Sequence, residues 1–207
     1  MKAMLDAVLL PKAFYKSMSV SKYTFFYCIC AIGVFSVGYP FLVDNFNALF
    51  LERSFGEMLF NIALTILLIL LIGLMDTVVY CRPIADLFGY ISEKTGGYKD
   101  KYLLIKTVKV YFLSAVIVNP VFILVSRFIF YDIAETTDVF KINIYFITVC
   151  LMQMWSFGIM SRGMNSILRY KSVKRVFVFL VISIWAMVWA FVFKAFIMEI
   201  LVRLYLI

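Results

Sequence analysis

The chain has 207 residues, of which 65% are apolar and 15% are charged, and its mean hydropathy is +1.00. This composition leaves too little polar surface to cover a water-soluble globule, which excludes a soluble domain of this length. The net charge of +8 is distributed unevenly along the chain, so we interpret it as a membrane orientation signal and expect no nucleic-acid partner.

The first polar piece, residues 1–21, has the spacing of an amphipathic helix, or of two short helices with Pro11 opening the second. Its charged face carries Lys2, Asp6, Lys12 and Lys16. Its opposite face carries Met4, Ala7, Val8, Phe14, Tyr15 and Met18. We expect this piece to lie in the headgroup plane of the cytosolic leaflet.

Five long apolar stretches follow, each with the roughly 20 residues needed to cross ~30 Å of hydrocarbon. We predict membrane spans at roughly 22–43, 58–81, 103–130, 140–161 and 176–200. Because backbone groups in lipid must pair within their own segment, these spans are helices. The predicted fold is an all-α membrane protein, a five-helix transmembrane bundle with an N-terminal interfacial amphipathic helix. It forms one domain over residues 1–207.

The small residues of the first span, Gly33, Ser36 and Gly38, predict close approach of another helix. After the second span, Arg82 and Pro83 predict a helix end, and Gly96-Gly97 predicts a turn. Between them, apolar residues recur at helical spacing, which predicts a second helix on the cytosolic surface. These residues are Ile84, Leu87, Phe88 and Ile91.

Basic residues concentrate in every second polar piece. The pieces assigned to the cytosol hold fourteen Lys or Arg against four acidic residues, whereas the outer pieces hold four basic and six acidic residues. This positive-inside pattern predicts a cytosolic N-terminus and a C-terminus outside, in a multi-pass protein of a bacterial cytoplasmic membrane. The basic residues that we expect to face anionic lipid or a partner are Lys12, Lys16, Lys22, Arg169, Lys171, Lys174 and Arg175.

Polar residues inside the spans are the candidates for an intramembrane site: Asp76, Lys109, Asn119, Pro120 and Gln153. Asp76 and Lys109 enter from the same side to a similar depth. They are interpreted either as a proton- or ion-responsive site or as a structural ion pair between spans 2 and 3. Pro120 predicts a kink, and Gln153 is a candidate hydrogen-bond partner for Asn119.

The chain has no histidine and none of the usual catalytic or phosphate-binding motifs. The four cysteines have the spacing of neither a metal site nor a redox pair, so we interpret them as packing residues. We therefore predict no enzymatic activity, no catalytic residue, no cofactor and no metal.

Several motifs, taken in order, resemble the Yip1 domain family and especially its bacterial branch, over roughly residues 5–200. The motifs are Pro11 with Phe14 and Tyr15 before the first span, Gly96-Gly97, Pro120 in the third span, and Trp155 before a basic connection. The resemblance implies a five-helix membrane scaffold or adaptor without an established reaction. Some bacterial members of the family are similar to accessory partners of multi-component exporters.

Two functional hypotheses follow. The first is a non-enzymatic membrane adaptor, an accessory subunit of a larger membrane assembly such as an exporter. It would bind anionic lipid together with another membrane protein or a second copy of itself. The alternative is a transport component or small-solute carrier, with a polar path between spans 2, 3 and 4 formed by Asp76, Asn119, Pro120 and Gln153.

Overall fold

The computed structural model describes residue 6 and residues 8–35, 51, 54–95, 100–131, 133, 136–170 and 172–205, with side chains described at all of these except 172, 173 and 193–205. Within these ranges every regular element is helical. The elements are α1 (Lys12–Lys16), α2 (Lys22–Gly33), α3 (Phe55–Met75), a π-helical segment (Asp76–Cys81), α4 (Arg82–Lys94), α5 (Leu103–Ile129), α6 (Val139–Leu168) and α7 (Ser172–Tyr205). The predicted all-α fold is confirmed for this part of the chain.

In the part of the chain that the structure describes, four helical stretches are long and apolar enough to cross a membrane. They are Phe55–Lys94, Leu103–Ile129, Val139–Leu168 and Lys174–Val192. These stretches coincide with the second to fifth predicted spans, as expected for a multi-pass membrane protein. The first predicted span, 22–43, begins as α2 but continues beyond the described residues after position 35. The count of five spans therefore stays a prediction.

The helix does not stop at Arg82-Pro83, the point at which the second span was predicted to end. The helix runs without interruption from α3 through the π-helical segment into α4, over 40 residues in all. Pro83 lies where the π-helical segment passes into α4, and it contributes no N–H to this continuous helix. Ile84 and Phe88 are buried, as their spacing predicted, but Leu87 is exposed. The second amphipathic helix thus exists as a direct continuation of a membrane span.

Helices α2 and α3 cross at two glycines that face each other. A Cβ atom at Gly33 would overlap the carbonyl oxygen of Ile69, and one at Gly73 would overlap that of Ile29. The backbones therefore touch at this crossing, and no side chain fits between them. The prediction that Gly33 allows close helix approach is confirmed, whereas Ser36 and Gly38 lie outside the described residues.

The buried core lies at one end of the bundle, which the charge pattern assigns to the cytosol and which we call the inner end. Here α5 packs on α2 and α6, α6 packs on α7, and the π-helical segment contacts α2, α5 and α7. The fully buried residues include Phe88, Val108, Met160 and Ile182. Large apolar side chains toward the other end, such as Phe128, are exposed, as expected of surfaces that face lipid.

Candidate functional site

A strap formed by Asp6 and residues 8–19 lies across α5 and α6 at the inner end. Asp6 forms an ion pair with Arg162 of α6. The indole Nε1 of Trp155, also in α6, donates a hydrogen bond of 2.8 Å to the carbonyl oxygen of Val8. The strap is therefore attached to the bundle by both a side chain and the backbone.

Tyr15 is the buried anchor of this strap. Its side chain is completely enclosed, and its hydroxyl donates to the carbonyl oxygen of Leu9 at 2.8 Å and approaches that of Ile159 at 3.5 Å. Burial raises the pKa of Tyr15 well above its usual value, so the hydroxyl stays protonated and continues to donate.

The predicted amphipathic helix at the N-terminus is described only in part, because Lys2, Met4 and Ala7 lie outside the described residues. Its second half is the five-residue helix α1, whose Lys12 and Lys16 are exposed as expected. The opposite face does not simply enter the headgroup layer, since Tyr15 packs into the protein. The physical reason is that its hydroxyl finds backbone acceptors there that lipid tails do not offer.

A cavity of about 740 Å³ opens between the strap, the end of α6 and the start of α7. Its lining is strongly basic, since five cationic side chains from three separate segments meet in it: Lys12, Lys16, Arg162, Arg169 and Arg175. Neutral polar groups come from Ser161, Asn165, Ser166 and Tyr170, and apolar surface comes from Leu9, Gly158, Val176 and Phe179. Among the described residues that line this basic cavity there is no Asp or Glu.

The tight turn between α6 and α7 brings the cations of the two helices together. Arg169 ends α6 in a left-handed conformation with a φ of 58°, which reverses the chain within a few residues. Tyr170 is then buried, and its hydroxyl donates to the carbonyl oxygen of Phe88 at 2.8 Å. Arg175 Nε donates to the carbonyl oxygen of Tyr170 at 3.0 Å, which holds its guanidinium beside the turn.

Arg162 is the least accessible cation of the cavity, with only 12% of its side chain exposed. One of its terminal nitrogens pairs with Asp6, but its Nε is buried and has no hydrogen-bond partner. Asn165 is in a similar state, since its Nδ2 donates to Ser161 Oγ at 3.2 Å while its Oδ1 is buried without a partner. Buried polar atoms are ordinarily hydrogen-bonded, so these two lining residues keep hydrogen-bonding groups that no described residue satisfies.

Of the basic residues expected to face lipid or a partner, four therefore line one cavity: Lys12, Lys16, Arg169 and Arg175. Lys174 lies beside it, with its ammonium 5.6 Å from the centre of the Tyr170 ring. Lys22 is exposed at the start of α2, away from the cavity lining. Lys171 lies outside the described residues.

Asp76 and Lys109 do not form the ion pair that their depth predicted, so that interpretation is wrong. Asp76 is buried, and its Oδ1 accepts a hydrogen bond of 2.6 Å from Trp189 Nε1 of α7. Lys109 Nζ donates instead to Ser19 O at 2.6 Å and to Thr24 Oγ1 at 2.7 Å. Equal depth does not ensure contact, because the rotation of each helix decides which neighbour its side chain meets.

Lys109 also borders a second, smaller cavity of about 300 Å³ beneath the strap. This cavity is mainly apolar, with Phe14, Met18, Phe112 and Leu113 in its lining. The Lys109 ammonium donates its hydrogen bonds to Ser19 in the strap and to Thr24 at the start of α2. The Ser19 Oγ is a further acceptor, at 3.1 Å. We interpret Lys109 as a tether that joins these two segments to α5.

The remaining intramembrane candidates are not gathered into a site. Asn119 and Pro120 are half-buried within α5, which continues as a helix through the proline. Gln153 is exposed on α6, and the expected hydrogen bond to Asn119 is not formed between these two described residues. With Asp76 buried elsewhere, against Trp189, the four residues expected to form a polar path do not meet.

Comparison with protein families, with curated proteins and with solved structures found no match to this chain. The resemblance to the Yip1 domain family therefore stays a prediction.

Sequence reasoning counted Arg162 among the cytosolic cations but did not place it in a binding site. Its spacing offered a usable signal, because Arg162 and Arg169 are seven residues apart and thus lie on one face of a helix. No comparable pattern indicated the pairing of Asp6 with Arg162 or of Asp76 with Trp189, which depends on how distant segments pack.

Proposed function

We propose that this chain is a non-enzymatic membrane adaptor, an accessory subunit that is held against anionic lipid of the cytosolic leaflet and contacts another membrane protein through its helix bundle. One observation carries the proposal: cations from the strap, α6 and α7 converge in one basic cavity. Each Lys or Arg near an anionic surface adds about 1 kcal/mol to its attraction. The predicted Yip1-like organisation agrees with this role.

The position of the cavity along the helices supports contact with headgroups. Arg162 is the twenty-fourth residue of α6, so about 35 Å of helix precedes it, slightly more than the ~30 Å of hydrocarbon. On the other side of the cavity, Lys174 and Arg175 come directly before the apolar run of α7, which begins at Val176. Both observations support a position of the basic cavity at the level of the lipid headgroups.

Lipid selectivity tests the first half of this proposal. The protein is reconstituted in mixed bilayers with trace spin-labelled phosphatidylglycerol or phosphatidylcholine, and the motionally restricted fraction of each label is measured. We expect phosphatidylglycerol to be restricted more, with the difference decreasing as salt screens the charges. Equal restricted fractions at low salt would contradict the proposal.

The second half is tested with purified components. A membrane protein that crosslinks to this chain in cells is identified, expressed alone and mixed with it in mild detergent. A complex of fixed stoichiometry is expected. In parallel, proteoliposomes that contain only this chain are assayed for uptake of small solutes, and saturable uptake in them would overturn the adaptor in favour of a carrier.

A further inference from the structure

The basic cavity has the features of a site for one defined ligand, beyond a general attraction to an anionic surface. Arg162 is the clearest sign, because only 12% of its side chain is exposed and its Nε lacks a partner. A guanidinium presents its N–H groups as a planar fork that matches the oxygens of a phosphate or carboxylate. Arg162 contributes such a fork to the lining of the cavity, and one of its terminal nitrogens already holds a carboxylate, that of Asp6.

Asn165 offers a second binding group at the same place. Its Oδ1 is buried without a partner, while its Nδ2 donates to Ser161 Oγ. Rotation of the amide by half a turn would let Oδ1 accept from the Ser161 hydroxyl and would release both N–H groups of Nδ2 for other acceptors. Arg162 and Asn165 are three residues apart on α6, so they lie on one face of the helix.

The charge of the cavity indicates how much negative charge the ligand carries. Five cations line it; Arg162 is paired with Asp6 and Arg169 has a contact of its own, and Lys12, Lys16 and Arg175 keep the lining positive beyond these two. A phosphodiester brings one negative charge, whereas a terminal phosphate group brings about 1.5 to 2 and a diphosphate brings more. The surplus of positive charge favours a ligand with a terminal phosphoryl group.

The apolar part of the lining indicates that this ligand is a lipid and not a soluble anion. Leu9, Val176 and Phe179 border the cavity, and the last two lie on the apolar stretch of α7 that enters the membrane. A headgroup can therefore contact the cations while its first methylene groups follow α7 into the hydrocarbon. A soluble phosphate would leave this apolar surface in water.

We propose that the basic cavity binds a single lipid with a terminal phosphoryl group, a phosphomonoester or a diphosphate, with Arg162 as its central ligand. Lys12 and Lys16 contribute charge from the strap, and Arg169 and Arg175 from the turn between α6 and α7. This site rests on the lipid-binding half of the proposed function and specifies its ligand, but it does not depend on a membrane-protein partner, because lipid binding is measured on the isolated protein.

The experiment is a native mass spectrometry titration of the full chain in detergent. The probes are phosphatidic acid, phosphatidylglycerol, phosphatidylcholine and inorganic pyrophosphate. We expect one retained phosphatidic acid per protein, bound at least about tenfold more tightly than phosphatidylglycerol, and pyrophosphate bound more weakly than either anionic lipid. Equal affinity for the two anionic lipids, or retention of several copies without preference, would overturn the proposal. Pyrophosphate that binds as tightly as phosphatidic acid would overturn its lipid component.

Variants separate the site from general surface charge. Arg162→Gln is expected to lower the affinity for phosphatidic acid about tenfold or more, and Arg162→Lys to lower it by a smaller factor because charge remains but the fork is lost. Lys22→Gln and Lys101→Gln remove one exposed cation each outside the cavity and are expected to leave the affinity unchanged. An equal loss of affinity for phosphatidic acid in all four variants would mean that charge alone binds the lipid, and it would overturn the proposed site.

Arg162 also holds Asp6, so its replacement is checked by thermal unfolding without lipid. If Arg162→Gln unfolds, Arg169→Gln and Arg175→Gln provide the test, because both side chains belong to exposed residues. Each is expected to weaken phosphatidic acid binding several-fold in a folded protein. Unchanged affinity in both would overturn the proposal.

Discussion

The indole N–H of Trp189 donates a hydrogen bond of 2.6 Å to the carboxylate of Asp76, which joins α7 to the first turn of the π-helical segment. Both residues are buried, with 7% and 2% of their surface exposed. A carboxylate at such a position is costly unless it is hydrogen-bonded. The hydrogen bond therefore fixes the packing of α7 against the middle of the helix Phe55–Lys94. Single substitutions at either residue should have measurable effects on stability.

Trp189→Phe should destabilise the protein by about 1–3 kcal/mol, because it removes a donor from a buried carboxylate. The matched control is Trp185→Phe on the same helix, since the Trp185 indole nitrogen is buried without a partner and loses no bond. The measurement is reversible unfolding in detergent micelles. A cost as large for Trp185→Phe as for Trp189→Phe would contradict the role assigned to the hydrogen bond.

Gly33→Ala and Gly73→Ala should each destabilise the α2–α3 crossing, by about 1–3 kcal/mol or more, because the new methyl group meets a backbone oxygen that cannot move independently. Gly56→Ala at the start of α3 is the control, since its new methyl group would have no neighbouring atom within 4 Å and alanine favours the helix by about 1 kcal/mol. Thermal unfolding of the three variants gives the comparison. Tolerance of alanine at both crossing positions would contradict the close contact.

Lys109→Met should loosen the strap, because the ammonium donates hydrogen bonds to Ser19 and Thr24. Hydrogen bonds to a charged group contribute about 1.5–3 kcal/mol each. Amide hydrogen exchange in residues 8–19 should then become at least about tenfold faster. Lys106→Met, which removes a neighbouring cation paired with Asp100, should leave exchange in the strap unchanged.

The strap should also weaken at alkaline pH. The folded-state pKa of Tyr15 is raised by burial, so the stabilisation from its neutral hydroxyl is fully present below the ordinary tyrosine pKa of about 10 and is lost as the pH rises above it. Lysines titrate in the same range, so the comparison is with Tyr15→Phe, which should lose less stability between pH 9 and about 11 than the wild type. Tyr23→Phe alters an exposed residue and should behave as the wild type does. Equal losses in wild type and Tyr15→Phe would contradict this titration.

The orientation predicted from the charge pattern can be measured with fusions in a bacterial host. Alkaline phosphatase, which is active only outside the cytosol, should be active when fused after Thr137 and inactive when fused after Thr95. The reason is that basic residues hold the connection after α4 on the cytosolic side. The reverse activities would invert the membrane orientation and place the basic cavity outside the cell.

The helices were predictable from the sequence because long apolar stretches leave the backbone no alternative in lipid. The contacts between the helices were harder to predict from the sequence. Asp76 and Lys109 enter the bundle at similar depth, yet Asp76 meets α7 and Lys109 meets the strap. Depth follows from residue number along a helix, whereas the partner of a side chain depends on helix rotation, which a near-uniform apolar sequence leaves undetermined.

The basic cavity was likewise predictable only in part from the sequence. The sequence indicated which cations lie at the inner end, and five of them line the cavity. It did not single out Arg162, because an arginine at the end of a span ordinarily extends to the interface. Its enclosure results from the strap, and the docking of Tyr15 and Asp6 onto α6 is a long-range event without a local pattern.

The continuous helix from Phe55 to Lys94 has a mechanical consequence. At 1.5 Å per residue its 40 residues measure about 60 Å along the backbone, roughly twice the thickness of the hydrocarbon. Its α4 half buries Ile84 and Phe88 in the core and exposes Arg82 and Asp86. A force applied to α4 from the aqueous side is therefore transmitted directly to the part of the helix that crosses the lipid, because no flexible loop separates the two parts.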